Sequence, residues 1–304
     1  MKKLIIIGGT GTVGFNFCKY ALKNNMFDSI IIFSRNEKDQ VFAKRELNSS
    51  LVDFVIGDVR DKGALRNAMR GCTHILNTAA IKHIEVAEEN YDEAIKTNIV
   101  GAQNVADIIK EMSTSYIIKN IYISTDKAAT PNSMYGATKL VAEKIFINVS
   151  NKNTRSSCIR LGNILGSSGS ILEHWSNNKG KQLYLSDRDL ERYFIKVETV
   201  CSFIDFVFDN MSGGETFIPA MNKYKIRDVA ELFSESIIEG QLRPGEKISE
   251  ILYSTEEANR TIVFDHHYLI KPNNSINKHM KYGQNTKFDN NYATIDDIKD
   301  LFNL

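Results

Sequence analysis

A chain of 304 residues, 42% apolar and 25% charged, can bury a large core, has the balance of a soluble globular protein and suggests about two folded units. Its formal net charge of +1 excludes a global attraction to nucleic acid or to an anionic membrane, so any affinity for phosphate must come from locally placed Lys and Arg. The cysteines at 18, 72, 158 and 201 form no CxxC pair, which reads as free thiols in a reducing, cytoplasmic setting and gives neither a disulfide frame nor a zinc site.

The opening Met-Lys-Lys-Leu-Ile-Ile-Ile stops at Gly8, too short a run for a secretory leader, and is expected to be a buried first strand. Further apolar runs follow at 30–33, 54–56, 75–77 and 121–124, with another strand expected at 157–160. Helical patterns lie between them near 13–24, 61–70, 85–111 and 133–149. Strands apolar throughout and separated by helices predict a parallel sheet covered on both faces, a doubly wound α/β fold with right-handed crossovers. No stretch of about 18 apolar residues predicts a membrane span. After about residue 165 the rhythm loosens: an amphipathic segment near 197–211, a helix near 226–236, an Asn-rich stretch at 273–291 and a short last helix. This divides the chain into residues 1–165, a dinucleotide-binding unit, and 166–304, a smaller substrate unit interleaved with the sheet.

Gly8-Gly9-Thr10-Gly11-Thr12-Val13-Gly14 follows the first strand and opens a helix. Gly8 permits the tight turn, Gly11 a close approach to a pyrophosphate and Gly14 close helix–strand packing, while the helix N-terminus offers free N–H groups to the phosphates. Strand, turn and helix in that order give a Rossmann-type cofactor site. The second strand ends in Ser34-Arg35, where an acidic residue would mark NAD; Arg35 suits a 2′-phosphate and favours NADP over NAD. Asp58 and Val59 stand after the third strand, at the position of an adenine contact, although a helix cap would explain Asp58 as well.

Ser124-Thr125-Asp126-Lys127 ends a strand at the sheet edge where such folds bind ligands, and Tyr135 and Lys139 share a helix face four residues apart. A phenol serves as a base near neutrality only if its pKa falls by about three units, which the Lys139 ammonium and a nicotinamide charge are expected to supply. The same spacing occurs in surface Tyr–Lys pairs; beside the glycine loop the catalytic reading prevails. No histidine spacing suggests a metal.

GxxGxxG with YxxxK resembles the extended short-chain dehydrogenase/reductase superfamily. Within it the chain is similar to the inverting UDP-N-acetylglucosamine 4,6-dehydratases of flagellin glycosylation. The resemblance rests on SRNE at 34–37, GDVRDK at 57–62, AAIKHIEVAE at 79–88, IKTNIVGAQNV at 95–105, STDKAATPNSMYGATKL at 124–140, RLGNILGSSGS at 160–170, GGETFIP at 213–219 and RPGEK at 243–247. It implies that Tyr135, assisted by Thr125, takes the C4 hydroxyl proton, that Lys127 removes the C5 proton and that Asp126 protonates the departing C6 hydroxyl. A base at Lys127 requires a pKa lowered toward neutrality. The resemblance further implies cofactor contacts from Ala79, Ala80, Lys82 and Asn98, and substrate contacts from Lys82 and His83. It assigns the UDP moiety to Asn163, Arg192, Arg243 and Glu246. Retaining dehydratases carry Asp-Glu where this chain has Asp126-Lys127, and 4-epimerases lack the pair. A UDP-sugar is therefore the expected partner, in a homo-oligomer contacting through helices near 96–111 and 133–149. A 4-epimerase, a retaining dehydratase and a catalytically silent NADP-binding sensor are the alternatives. Departures from the pattern cluster on the substrate side, at Ser168, Glu173, Asp189 and Glu191 and at His83-Ile84-Glu85, where the family has His-Val-Pro.

Overall fold

The computed structural model describes residues 1–112, 117–272 and 293–304; the Asn-rich stretch at 273–291 thus lies outside the described residues. The first half alternates strands β1 (Lys3–Ile7), β2 (Ser29–Ser34), β3 (Val52–Ile56), β4 (His74–Asn77), β5 (Ile118–Thr125) and β6 (Thr154–Leu161) with helices α1 (Thr12–Lys23), α2 (Glu37–Leu47), α3 (Lys62–Met69), α4 (Ile84–Glu89), α5 (Tyr91–Ala94), α6 (Gly101–Met112) and α7 (Met134–Ile147). The second half contributes β7 (Asn163–Ile164), β8 (Leu183–Leu185), β9 (Glu191–Ile195), β10 (Thr216–Pro219), β11 (Asn222–Lys225), β12 (Ile237–Glu239), β13 (Thr261–Val263) and β14 (His267–Ile270). Its helices are α8 (Ile171–Ser176), α9 (Val197–Asn210), α10 (Ile226–Ala230), α11 (Thr255–Ala258) and α12 (Ile295–Phe302).

Nine strands form the main sheet in the order β13-β14-β10-β6-β5-β4-β1-β2-β3, parallel from β3 to β10, with β14 and β13 antiparallel at one edge. This is the doubly wound arrangement the apolar runs predict, with the order reversing beside β1, where such sheets bind ligands. Two apolar clusters cover its faces: Ile6, Phe17 and Phe203 belong to one, Ile5, Phe33 and Phe146 to the other. A third cluster, including Trp175, Phe194, Phe233 and Ile298, lies under the smaller sheets β11-β9-β7 and β12-β8. Residues of the second half return to the main sheet through α9, β10, β13 and β14.

Three elements differ from expectation. Helix α2 has only Gln40 and Ala43 buried, too thin an apolar stripe to signal itself. The pattern at 85–111 is not one helix: Asn90, at φ −125° and ψ 55°, separates α4 from α5, and a π-helical turn at Ile95–Val100 joins α5 to α6. The helix expected near 226–236 ends at Ala230. Among the described residues no helix is long and apolar enough to cross a membrane, all four cysteines are buried and unpaired, and no group of three or more His, Cys, Asp or Glu side chains could hold a metal ion.

Candidate active site

A cleft of about 1110 Å³ runs along the C-terminal ends of β1, β2, β4 and β5 and under the smaller sheets. It exceeds the roughly 300–1,000 Å³ of most small-molecule pockets, giving room for two ligands end to end. Its floor is the glycine loop. Gly8 adopts φ +80°, and a side chain there would meet the backbone nitrogen of Ala79 at 2.7 Å. Gly14 packs against Gly9, where a Cβ would come within 2.8 Å of the Gly9 Cα. Gly11 caps α1 without a side-chain hydrogen bond, so the first N–H groups of the helix remain available to a diphosphate. That cradle suits a dinucleotide.

Of the residues expected at a cofactor, Thr10, Thr12, Val13, Ser34, Arg35, Val59, Ala79, Ala80 and Lys82 line the cleft, joined by Asn36 and Asp39, which the sequence reading missed. Arg35 is half-exposed, 3.7 Å from Asp58. The carboxylate of Asp58 turns from the cleft wall to accept from Arg60 Nε at 3.0 Å and Nη2 at 2.6 Å. Burial acts to raise its pKa, but the Arg60 hydrogen bonds outweigh it and hold the group below the usual carboxylate range. Asp58 thus pairs with Arg35 and Arg60 and does not itself line the cleft, which corrects the expectation of an adenine contact there. Asn98 is the second correction. Its amide is buried, accepting from the Ile81 N–H at 2.9 Å and donating to the Ile81 carbonyl at 3.1 Å and to Thr138 Oγ1 at 3.0 Å. Every polar atom of that amide is engaged in holding the loop after β4 to α7, and it is the neighbouring Thr97 that lines the cleft.

Above the start of α1, the segment 167–170 packs onto the glycine loop. Lys82 Nζ donates to the Ser168 carbonyl at 2.6 Å, and the hydroxyls of Ser168 and Thr12 lie 3.4 Å apart. Gly169, at φ +70°, lets the turn pass His83, whose Cε1 would sit 2.9 Å from an added Cβ. Burial lowers the pKa of both Lys82 and His83.

The catalytic candidates meet where β5 runs into α7. Thr125, Lys127, Tyr135 and Lys139 line the cleft; Asp126 does not. Asp126 is fully buried behind the wall, its Oδ1 accepting from Thr125 Oγ1 at 3.0 Å and from Lys127 Nζ at 3.1 Å, while Oδ2 has no hydrogen-bond partner. Burial acts to lower the pKa of Lys127, yet the carboxylates of Asp126 and Glu250 outweigh it, against opposition from Arg192, and hold the ammonium above its usual range. The expectation of a Lys127 lowered toward neutrality is therefore corrected. Tyr135 is hydrogen-bonded to Thr125; burial keeps its phenol above the ordinary value, while Lys127 and Thr125 pull the other way. The cation acting on Tyr135 is thus Lys127 and not the expected Lys139. Lys139 donates to the Ile123 carbonyl at 2.6 Å and sits 4.0 Å over the Tyr122 ring, with burial pushing its pKa down to about 7.

One face of α7 also holds a buried ion cluster that sequence reasoning missed. Arg160 on β6 reaches Glu143 through Nε at 2.8 Å and Nη2 at 2.7 Å, and Glu257 through Nη1 at 2.7 Å and Nη2 at 2.8 Å. This joins the helix carrying Tyr135 to the C-terminal part of the chain.

Asn163, Arg192, Arg243 and Glu246 stand at the far end of the same cleft. Glu246 lies between two guanidiniums, 3.3 Å from Arg192 and 2.7 Å from Arg243; burial acts to raise its pKa, but the hydrogen bonds and charge of Arg243, with a hydrogen bond from Ser186, outweigh it and bring the value down to about 2. Arg243 also reaches Glu85 on α4 at 2.6 Å. Gly245, at φ +75°, allows the 243–247 loop to pack on α7: a Cβ there would meet Ser133 Cβ at 2.7 Å.

The profile of a family described as "Polysaccharide biosynthesis protein" matches residues 4–272. A UDP-N-acetylglucosamine 4,6-dehydratase (inverting) of Campylobacter jejuni is 40% identical over 281 residues, covering 89% of this chain and 83% of that protein. A UDP-glucose 4-epimerase of Rickettsia bellii is 30% identical over 297 residues, covering 92% and 86%. Among solved structures, Pen from Bacillus thuringiensis superimposes with a TM-score of 0.86 at 27% identity over 99% of this chain and 96% of that one. A dTDP-glucose 4,6-dehydratase from Streptomyces venezuelae, solved with NAD bound, gives a TM-score of 0.73 at 19% identity over 84% and 88%, a likeness of fold alone.

Proposed function

The chain belongs to the polysaccharide biosynthesis protein family, and from that premise we propose that it is a nucleotide-sugar 4,6-dehydratase of the extended short-chain dehydrogenase/reductase type. On this reading it uses NADP and acts on UDP-N-acetylglucosamine or a close relative, inverting C5. The observation that carries the proposal is the convergence of Thr125, Lys127 and Tyr135 on one wall of a cleft whose floor is the glycine loop.

Bound nicotinamide would accept and later return an electron pair with hydrogen at the sugar. Burial keeps the Tyr135 phenol protonated until the positive charge of an oxidised nicotinamide would draw its proton off to solvent; Oη, hydrogen-bonded to Thr125, then takes the proton of the C4 hydroxyl. The resulting ketone acidifies the C5 proton, and Lys127 Nζ removes it. For this the ammonium first passes its own proton to Asp126, 3.1 Å away, whose second oxygen has no partner. Amine plus carboxylic acid carries the same total charge as the ion pair, so the exchange leaves the charge of this buried site unchanged. Because Asp126 stands behind the wall, its proton reaches the departing C6 hydroxyl through Thr125 or Lys127; when the hydrogen returns to C6, C5 takes a proton from water on the face away from Lys127, which leaves it inverted. Arg192 and Arg243 offer guanidinium forks to a diphosphate, and Glu246 and Asn163 offer hydrogen-bonding groups to a nucleoside. Arg35 at the opposite end supports NADP over NAD. We place the enzyme in the cytosol as a homo-oligomer, supported by the exposed apolar Ile95 and Val100 on the π-helical turn and Val141 on α7.

Incubation with UDP-N-acetylglucosamine is expected to give a ketone one water lighter than the substrate by mass spectrometry. Lys127→Ala is expected to abolish water loss and leave dinucleotide binding intact. A product of unchanged mass with C4 inverted would establish the second reading, a 4-epimerase, which the 30% identical Rickettsia relative favours. Dinucleotide binding with no turnover of any UDP-sugar would sink both.

A further inference from the structure

Glu250 takes no part in the steps just described, yet its side chain is 2% exposed and lies directly behind the reacting groups. Oε1 is 3.7 Å from Lys127 Nζ, and Oε2 accepts from Lys247 Nζ at 3.3 Å. Lys247 in turn donates to Thr130 Oγ1 at 3.3 Å, in the loop between β5 and α7. The carboxylate is thereby fixed between two ammoniums and cannot swing freely. Lys127 is held in the same way between two carboxylates, Asp126 on its own turn and Glu250 on the loop that carries Arg243 and Glu246. Tyr135 from α7 and Arg192 from β9 are the other charged or titratable groups that act on it.

A lysine head on a long flexible stem, with a single acceptor behind the wall, would fold back onto that acceptor. A second carboxylate, 3.7 Å from the same nitrogen and carried by a different loop, gives the head a second point of attachment. We propose that Glu250 is a positioning residue for the C5 proton transfer, fixing through Lys127 both where the nitrogen stands on the cleft wall and the charge it carries. The proposal deepens the dehydratase reading and rests on it for the identity of the step. The link from Glu250 to Lys127 itself can be read without turnover.

Two substitutions push the system in opposite directions. Glu250→Gln keeps the shape and removes the anion, leaving Asp126 alone to hold the proton on Lys127. Lys247→Met removes the competing cation, so that Glu250 is left to Lys127. The free-amine fraction of Lys127 is read in the ligand-free protein by its rate of acetylation with acetic anhydride at mildly alkaline pH, followed by peptide mass spectrometry. One pH unit of displacement corresponds to about a tenfold change in free amine. Glu250→Gln is expected to speed Lys127 labelling about tenfold and to move the acid limb of kcat/KM for water loss to lower pH with a reduced kcat. Glu250→Asp is expected to restore the wild-type limb. Lys247→Met is expected to slow labelling and to move the limb to higher pH. A merely structural role for Glu250 would lower the melting temperature and kcat while leaving the limb and the labelling rate of Lys127 where they are, and that result overturns the proposal. If the wild type releases no water from any UDP-sugar, the dehydratase reading fails, and the labelling rates still decide the link between Glu250 and Lys127.

Discussion

Arg243 and Glu85 face each other across the far end of the cleft, guanidinium to carboxylate at 2.6 Å. An anion already sits on the cation that a diphosphate would need. Both side chains are exposed, so the pair contributes little to stability and is worth roughly 0.2–1 kcal/mol. Glu85→Ala is therefore expected to tighten UDP binding about two- to fivefold by calorimetry, with kcat unchanged. Weaker binding in the variant would show that Glu85 orients Arg243 and does not compete for it.

Arg35 lies on the cleft wall at the end of β2, 3.7 Å from Asp58. Hydrogen bonds to a charged group are worth about 1.5–3 kcal/mol, so losing one to a 2′-phosphate should cost tenfold or more. Arg35→Ala is expected to weaken NADP by that factor and to leave NAD nearly unchanged in paired fluorescence titrations. Equal losses for both dinucleotides would remove Arg35 as the discriminator.

Lys139 carries a pKa pushed down to about 7 by burial. Between that value and about 10.4 the unfolded chain holds a proton that the folded chain has released, so stability rises with pH across this window. Below pH 7 the folded protein carries the full cost of a buried cation. Lys139→Met removes that cost, and its melting temperature is expected to exceed that of the wild type at pH 6, with the gap shrinking steadily toward pH 9. A gap independent of pH would mean that the ammonium is better paired than its contacts with the Ile123 carbonyl and the Tyr122 ring suggest.

Arg160 supplies paired hydrogen bonds to two buried carboxylates, Glu143 and Glu257. Removing the guanidinium alone leaves both without their counter-charge, a loss of about 3–5 kcal/mol for a buried pair. Arg160→Met should lower the denaturation midpoint accordingly, and Glu143→Gln/Glu257→Gln in the same chain should recover part of it. An Arg160→Met protein as stable as the wild type would contradict the buried network.

Strands β1, β2, β4 and β5 are legible in the sequence because each carries a short apolar run whose burial leaves no alternation to confuse it, whereas β3 exposes Asp53 and Ile56 and β6 opens on Thr-Arg-Ser-Ser, so only its second half declares itself. The glycine loop and the Tyr135–Lys139 spacing are equally local signals. What escapes is whatever depends on partners distant in the chain. The burial of Asp126 behind the wall follows from how β5 meets α7, and Glu250 acquires its meaning only when the 243–250 loop folds back onto Lys127. Charge states escape for the same reason: the sequence argues for a lowered Lys127 and a Tyr135 tuned by Lys139, whereas the fold surrounds Lys127 with carboxylates and turns Lys139 toward the Ile123 carbonyl. The strands of the smaller sheets are two to five residues long, too short for a period to declare itself.

The π-helical turn at Ile95–Val100 is a one-residue surplus wound into the junction of α5 and α6. Deleting any residue from it would let the winding relax to ordinary α geometry and swing α5 by about 100° against α6. Asn98 would then lose its hold on Ile81, and the loop bearing Lys82 and His83 would come adrift, while the nine-stranded sheet kept every one of its pairings. Length variation at this junction is thus a route by which the fold can retune what its cleft accepts without re-engineering its core.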